Sequence, residues 1–251
     1  MLGYQAMVRE KNHVDYEKII QDKYKIKRLP SVDLLDLIPG FHEEIDHYSF
    51  LPGTSTIIDI MLLKVLAKRY EKCCYLEIGS FRGESITNVA DVANECNSLT
   101  LSPEEMKAFG YSDDSVKAHG IFSKGKSNII SYLHNSLTFD FGSLNKKFDL
   151  IFVDGDHDYS SVVKDTQNVF KLLKNDQSII VWHDYGFDSY NVRHEVMAAI
   201  LEGTPAQYHP NLYHVSNSMC AVYMKGKFPI SLLREDVPNI SFHVAVDARK
   251  L

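Results

Sequence analysis

From Cys73 onward the chain alternates short apolar runs with longer stretches of helical spacing, and this alternation constrains the fold more than any other feature of the sequence. Consecutive β-α units of this kind build a parallel sheet covered by helices, because each parallel strand needs a crossover before the next can pair beside it. Strands are expected over residues 73–78, 99–101, 128–132, 150–153 and 179–182. The clearest intervening helix carries Val162, Val163, Val169, Phe170, Leu172 and Leu173 on one face and stops at Asn175-Asp176. Residues 212–215 and 220–225 then pair as a hairpin around Ser216-Asn217-Ser218. The expected architecture is α/β and doubly wound, a mostly parallel seven-stranded sheet with a C-terminal antiparallel hairpin and helices on both faces.

Residues 1–53 have a mixed character. Residues 4–24 suit a polar helix, Leu29-Pro30-Ser31 a turn, and Leu34, Leu35, Leu37 and Ile38 form a short apolar piece that ends at Pro39-Gly40. Too short and too polar to own a core, this segment reads as a helical cap or the arm of a homodimer, set over a main domain of residues 54–251. Within that domain residues 56–69 hold Ile57, Ile60, Met61, Leu63 and Leu66 at helical spacing, a helix that covers the sheet ahead of the first strand. A chain of 251 residues with 45% hydrophobic content buries roughly 70 to 75% of the surface its unfolded form exposes.

A net charge of −6, with Lys and Arg scattered apart from Lys25-Ile26-Lys27-Arg28, argues against a nucleic-acid partner and for a small molecule or a protein. No apolar stretch approaches the ~20 residues of a membrane span, and no basic segment precedes an apolar core at the start, so a cytoplasmic protein without membrane contact is expected. Cys73, Cys74, Cys96 and Cys220 follow no framework spacing and read as reduced packing residues.

Two of the expected strands end in acidic-histidine clusters: Val153-Asp154-Gly155-Asp156-His157 and Trp182-His183-Asp184. In an open α/β sheet ligands bind in the crevice at the carboxyl ends of the strands, so clusters far apart in sequence meet at one place. Asp154, His183 and Asp184 offer oxygen and imidazole ligands to a divalent cation. Histidine side chains titrate near neutrality, which suits His157 to proton transfer. The bland readings are also physical: Asp156 and Asp158 suit the cap of the following helix, and His183 suits a hydrogen-bonded place behind the ligands.

The first expected strand runs into Glu77-Ile78-Gly79-Ser80-Phe81-Arg82-Gly83-Glu84-Ser85. Glycine at 79 permits a sharp turn, and Gly83 lets the next helix start close to the strand. A dinucleotide fingerprint would need Gly-x-Gly-x-x-Gly; here the pair is Gly-x-x-x-Gly, and Glu77 would repel a pyrophosphate while suiting an ammonium or sulfonium charge. At this point the chain resembles the class I S-adenosylmethionine-dependent methyltransferases, whose first motif is an acidic residue, x, Gly, three residues and Gly. The resemblance spans residues 54–225, because Lys147 through Tyr159 and Ile179 through Asp184 are similar to the fourth- and fifth-strand endings of a metal-dependent small-molecule O-methyltransferase subgroup.

That resemblance implies a Rossmann-like fold and S-adenosyl-L-methionine bound around Glu77, Gly79, Ser80, Gly83, Ser85, Ser102, Asn135, Ser136 and Asp154. It implies a divalent metal, magnesium by preference, on Asp154, His183 and Asp184, and His157 as the base that deprotonates the hydroxyl of a small-molecule acceptor. The chain also departs from the family. The second strand usually ends on an acidic residue that binds the ribose hydroxyls, whereas Leu99-Thr100-Leu101 is followed here by Ser102-Pro103, with Glu104 and Glu105 one turn later. The family's Gly-Asp-Ser after the third strand is His134-Asn135-Ser136, whose Asn135 amide retains the capacity to bond an adenine edge. Two other functions stay open on this sequence: an iron or zinc oxygenase or hydrolase using His157, His183 and a carboxylate, and a degenerate methyltransferase fold acting as a binding module.

Overall fold

The computed structural model describes residues 14–250. The first half of the chain contains α1 (Tyr16–Tyr24), β1 (Ser31–Val32), α2 (Leu34–Leu37), α3 (Ile57–Ala67), β2 (Cys74–Ile78), α4 (Glu84–Ala90), β3 (Glu95–Thr100), α5 (Pro103–Ala108) and α6 (Asp113–Ala118). The second half contains β4 (Ile129–Leu133), β5 (Leu150–Val153), α7 (Tyr159–Phe170), β6 (Ile179–Trp182), α8 (His194–Gly203), β7 (Leu212–Val215) and β8 (Ala221–Tyr223). Residues 4–13 of the expected first helix lie outside the described residues.

The strands form one sheet in the order β1-β7-β8-β6-β5-β2-β3-β4, in which only β8 runs antiparallel to its neighbours. It has eight strands where the sequence suggests seven. The additional one comes from Ser31 and Val32, which pair in parallel with His214 and Val215 at the far edge. Pro30 disguises it: proline beside a serine reads as a turn, yet proline is also tolerated immediately before an edge strand, where its missing N–H is not needed. The second expected strand is longer than its apolar run, because Asn97 and Ser98 are buried polar residues inside it. The Asn97 amide donates to the Tyr75 carbonyl and to Glu95, which meets its hydrogen-bonding need without water.

Alternation along the central strands sorts side chains to two faces. Leu76, Ile78, Ile151, Val153, Ile180 and Trp182 pack with α7, α8 and Ile20 of α1. Tyr75, Leu150, Phe152, Ile179 and Val181 pack with α3, α4 and the Val32–Leu37 segment. Residues 20–37 therefore contribute to both cores. Among the described residues no helix is long and apolar enough to cross a membrane, and all four cysteines are free.

The sheet order reverses between β2 and β5, so their carboxyl ends lie side by side with no helix between them. Gly79 follows β2 there with φ of +86°, and a Cβ at this position would lie 2.1 Å from the Asp154 carbonyl oxygen. Both objects are backbone, so neither yields easily. Gly79→Ala is expected to destabilise the protein by about 3 kcal/mol or more in urea unfolding. Gly40→Ala, also at positive φ but with nothing within 4 Å, is expected to cost only about 1 kcal/mol.

Candidate functional site

The glycine turn is braced from below and covered from above. The Asp154 N–H donates to the Ile78 carbonyl at 2.8 Å, and the Gly79 N–H to the Leu99 carbonyl at 2.9 Å, which locks the ends of β2, β3 and β5 together. Beneath them Glu77 is completely buried, accepting hydrogen bonds from the Tyr75 hydroxyl at 2.7 Å and from Ser85 Oγ at 2.8 Å. Burial pushes its carboxyl up to about 7. Glu77 thus supports the turn from inside, with both oxygens engaged by the protein. Gly83 starts α4 at φ of +83°, where a Cβ would come within 2.9 Å of Ser123 Oγ.

Above the turn, Glu84 draws residues 49–54 onto α4. Its carboxylate accepts from the Ser49 N–H at 2.7 Å, Thr54 Oγ1 at 2.9 Å and Arg82 Nε at 3.2 Å, while Arg82 also donates to the Pro52 carbonyl. This brings Ser55 Oγ to 3.2 Å from Asp154 Oδ2.

The two acidic-histidine clusters do meet. His157 Nε2 lies 3.1 Å from Asp184 Oδ2. His183 Nδ1 lies 3.1 Å from Asp154 Oδ1 and 3.1 Å from Asp184 Oδ2, and its Nε2 faces Asp59 Oδ2 at 3.2 Å. Burial alone would lower the His183 pKa, but Asp154, Asp184 and Asp59 outweigh it and hold the imidazole well above the usual histidine range. Burial likewise pushes Asp184 up, and His183, His157 and Arg193 outweigh it, holding the carboxyl down to about 2. Arg193 Nη2 reaches Asp184 Oδ1 at 3.3 Å and stacks its guanidinium over Phe187.

His183 is thus surrounded by carboxylates on both ring nitrogens. The donor atoms of Asp154, His157 and Asp184 lie within 4.8 Å of one another, and His183, the imidazole suggested as a ligand by the sequence, contacts the same two carboxylates. Asp59 and Arg193 belong to the cluster as well. Asp59 carries a legible signal, since Thr56-x-x-Asp59 is a capping box at the start of α3. Its second oxygen accepts from the Met219 N–H at 2.9 Å. Arg193 has no local signal in the sequence.

The remaining expected cofactor residues are spread along the ends of β3 and β4. Ser102 caps α5 reciprocally with Glu105: Ser102 Oγ accepts from the Glu105 N–H, and Glu105 accepts from the Ser102 N–H. The other Glu105 oxygen accepts from the Asn135 N–H at 3.1 Å, and Asn135 Oδ1 closes a local turn with the Leu137 N–H. Glu104 is exposed. Ser136 Oγ donates to Asp165 Oδ2 at 3.2 Å, and burial pushes the Asp165 carboxyl up to about 7. Ser102 and Glu105 are thus both engaged in the cap of α5.

Two outcomes follow from these charges. A carboxyl whose pKa rises on folding favours the native state at low pH, so stability should decline as pH rises from the ordinary 4.5 toward the value of about 7 at Glu77. Glu77→Gln is expected to flatten that limb of the stability–pH curve, measured by urea unfolding across pH 4 to 8. Asp59→Ala leaves a buried imidazolium one partner short and is expected to cost about 3 kcal/mol or more. NMR titration of the same variant should show the His183 pKa falling.

Part of the chain is similar to known proteins. Residues 76–185, which run from β2 through the glycine turn to both strand-end clusters, match the model of the family described as a methyltransferase domain. A protein of Acanthamoeba polyphaga mimivirus, "Uncharacterized protein R132", is 27% identical over 155 residues, 59% of this chain and 67% of its own length. Among solved structures, an O-methyltransferase from Bacillus cereus in complex with SAH aligns at 14% identity, 70% of this chain, 84% of its own and a TM-score of 0.46. The O-methyltransferase TomG from Streptomyces achromogenes, in complex with SAM, aligns at 15% identity with the same coverages and TM-score. Residues 76–185, which hold the glycine turn and both acidic strand ends, are thus similar to a methyltransferase domain.

Proposed function

We propose that the chain transfers a methyl group from S-adenosylmethionine to a hydroxyl of a small molecule, with His157 taking the hydroxyl proton. The observation that carries this reading is the position of His157. Its side chain is 37% exposed, against 11% for Asp184 and 7% for His183, so it is the member of the cluster that an entering molecule meets. An Nε2–H donated to Asp184 leaves Nδ1 with a lone pair for the acceptor proton. Asp184 is itself fixed by His183 and Arg193, which gives the base an orienting partner.

The cofactor supplies an electrophilic methyl on a sulfonium. The residues fit such a group: three carboxylates, Asp59, Asp154 and Asp184, face the cations His183 and Arg193, which leaves excess negative charge beside the glycine turn. With such a group bound, His157 would take the proton that the acceptor hydroxyl gives up on methylation. Holding oxygen, carbon and sulfur in line supplies much of the remaining acceleration. The loop over 186–191, beside Arg193, is the segment through which acceptor choice would be exercised.

A second arrangement has a direct observation behind it, the convergence of Asp154, His157 and Asp184. Two carboxylates and an imidazole suit a divalent cation with open positions, and the imidazole favours manganese, zinc or iron over magnesium. Such an ion, when bound, would lower the pKa of an acceptor hydroxyl. His157 would then serve as a ligand.

His157→Ala is expected to lower turnover by about 100-fold or more over a panel of hydroxylated acceptors, with release of S-adenosylhomocysteine as the readout. Affinity for S-adenosylhomocysteine in calorimetry should stay within about twofold. Near-normal turnover in this variant overturns the assignment of the base. The cation arrangement predicts that chelation abolishes turnover, that manganese restores it, and that manganese raises the melting temperature of the wild type but not of His157→Ala.

A further inference from the structure

The carboxyl end of β3 lacks the acidic residue that commonly meets a ribose in doubly wound folds, and the structure puts another acceptor in that place. In such folds the ribose hydroxyls are taken about 20 residues after the glycine turn, at the end of the next strand. Here that position is Thr100, the last residue of β3. Glu105 and Ser102 bond each other in the cap of α5, and Glu104 is exposed.

What reaches the end of β3 is His119, from the segment after α6. This segment lies along the glycine turn: the Gly120 N–H donates to the Phe81 carbonyl at 2.8 Å, the Phe122 N–H donates to the Arg82 carbonyl at 3.0 Å, and Ser123 sits against Gly83. His119 Nε2 lies 3.4 Å from Thr100 Oγ1, and Thr100 Oγ1 lies 3.2 Å from the Ser80 carbonyl. A carbonyl only accepts, so the single hydroxyl proton of Thr100 goes to Ser80. The Thr100 oxygen then accepts from His119, which places the ring proton on Nε2. Burial, with Lys124 nearby, lowers the His119 pKa and keeps the ring neutral. Nδ1 is left as a bare lone pair, buried and without a hydrogen-bond partner among the described residues.

We propose that His119 Nδ1 accepts a hydrogen bond from a ribose hydroxyl of the adenosyl cofactor, in the role a carboxylate fills elsewhere. The inference rests on the adenosyl-cofactor reading above and adds a residue to it. An imidazole offers a lone pair here without an added charge.

Calorimetry with S-adenosylhomocysteine and with its 2′-deoxy and 3′-deoxy counterparts tests it. His119→Ala should weaken S-adenosylhomocysteine binding about 3- to 10-fold, the span of one neutral hydrogen bond. His119→Asn, whose side-chain carbonyl accepts at a similar reach, should recover most of that loss. Wild type should lose the same factor on one deoxy counterpart, and His119→Ala should lose nothing more on it. In the wild-type protein the Nδ1 nitrogen resonance of His119 should move upfield on saturation with S-adenosylhomocysteine, a readout that does not depend on how any variant folds. Unchanged affinity in His119→Ala, an equal loss on all three ligands, or an unmoved resonance overturns the proposal while leaving the cofactor reading intact. Absence of any S-adenosylhomocysteine binding by wild type overturns the cofactor reading itself.

Discussion

One buried imidazole and the three carboxylates around it hold the top of this sheet together. His183 comes from the end of β6, Asp154 from the end of β5, Asp184 from the residue after His183, and Asp59 from the first turn of α3. Each of these carboxylates would be costly to bury alone, by several kcal/mol, and each is tolerable because the ring shares its positive charge among them. The arrangement fixes where the strand ends stand relative to α3. It also places Asp184 beneath His157. Asp184 adopts a left-handed backbone, φ of +55°, unusual for a residue other than glycine, which is consistent with a side chain held by His183, His157 and Arg193 at once.

Much of the fold is legible in the sequence because its strands are nearly pure. Residues 150–153 and 179–182 are apolar on both faces, as strands buried between helix layers must be, and both match the structure to the residue. Legibility fails where polarity and burial part company. Asn97 and Ser98 hide most of β3, and a two-residue edge strand beside Pro30 gives no pattern to detect. The site is legible in its residues more than in their roles. Asp154, His157, His183 and Asp184 converge as strand-end logic requires, but which histidine faces outward depends on Asp59, a residue from another element. No local pattern records that contact.

The glycine turn shows how a motif associated with ligands serves the fold as well. Gly79 is required by the backbone of Asp154, and Gly83 by Ser123, before any ligand is considered. Glu77 is closed off beneath, and Ser102 and Glu105 are spent on a helix cap. The family match and these local demands are compatible, since a binding surface formed by backbone needs its side chains elsewhere.

The pairing of β1 with β7 has a kinetic side. Ser31 and His214 are 183 residues apart, and Asp59 is 160 residues from its partner Met219. Contacts of such separation pay their loop-closure entropy late, after local β-α units have formed. On the ribosome the central strands can assemble while β7 and β8 are still unmade, so Ser31 and Asp59 wait for their partners. A chain cut short before residue 212 would hold its glycine turn yet leave the imidazole cluster without the backbone that anchors Asp59. Assembly of the imidazole cluster is in this way tied to synthesis of the chain past Met219.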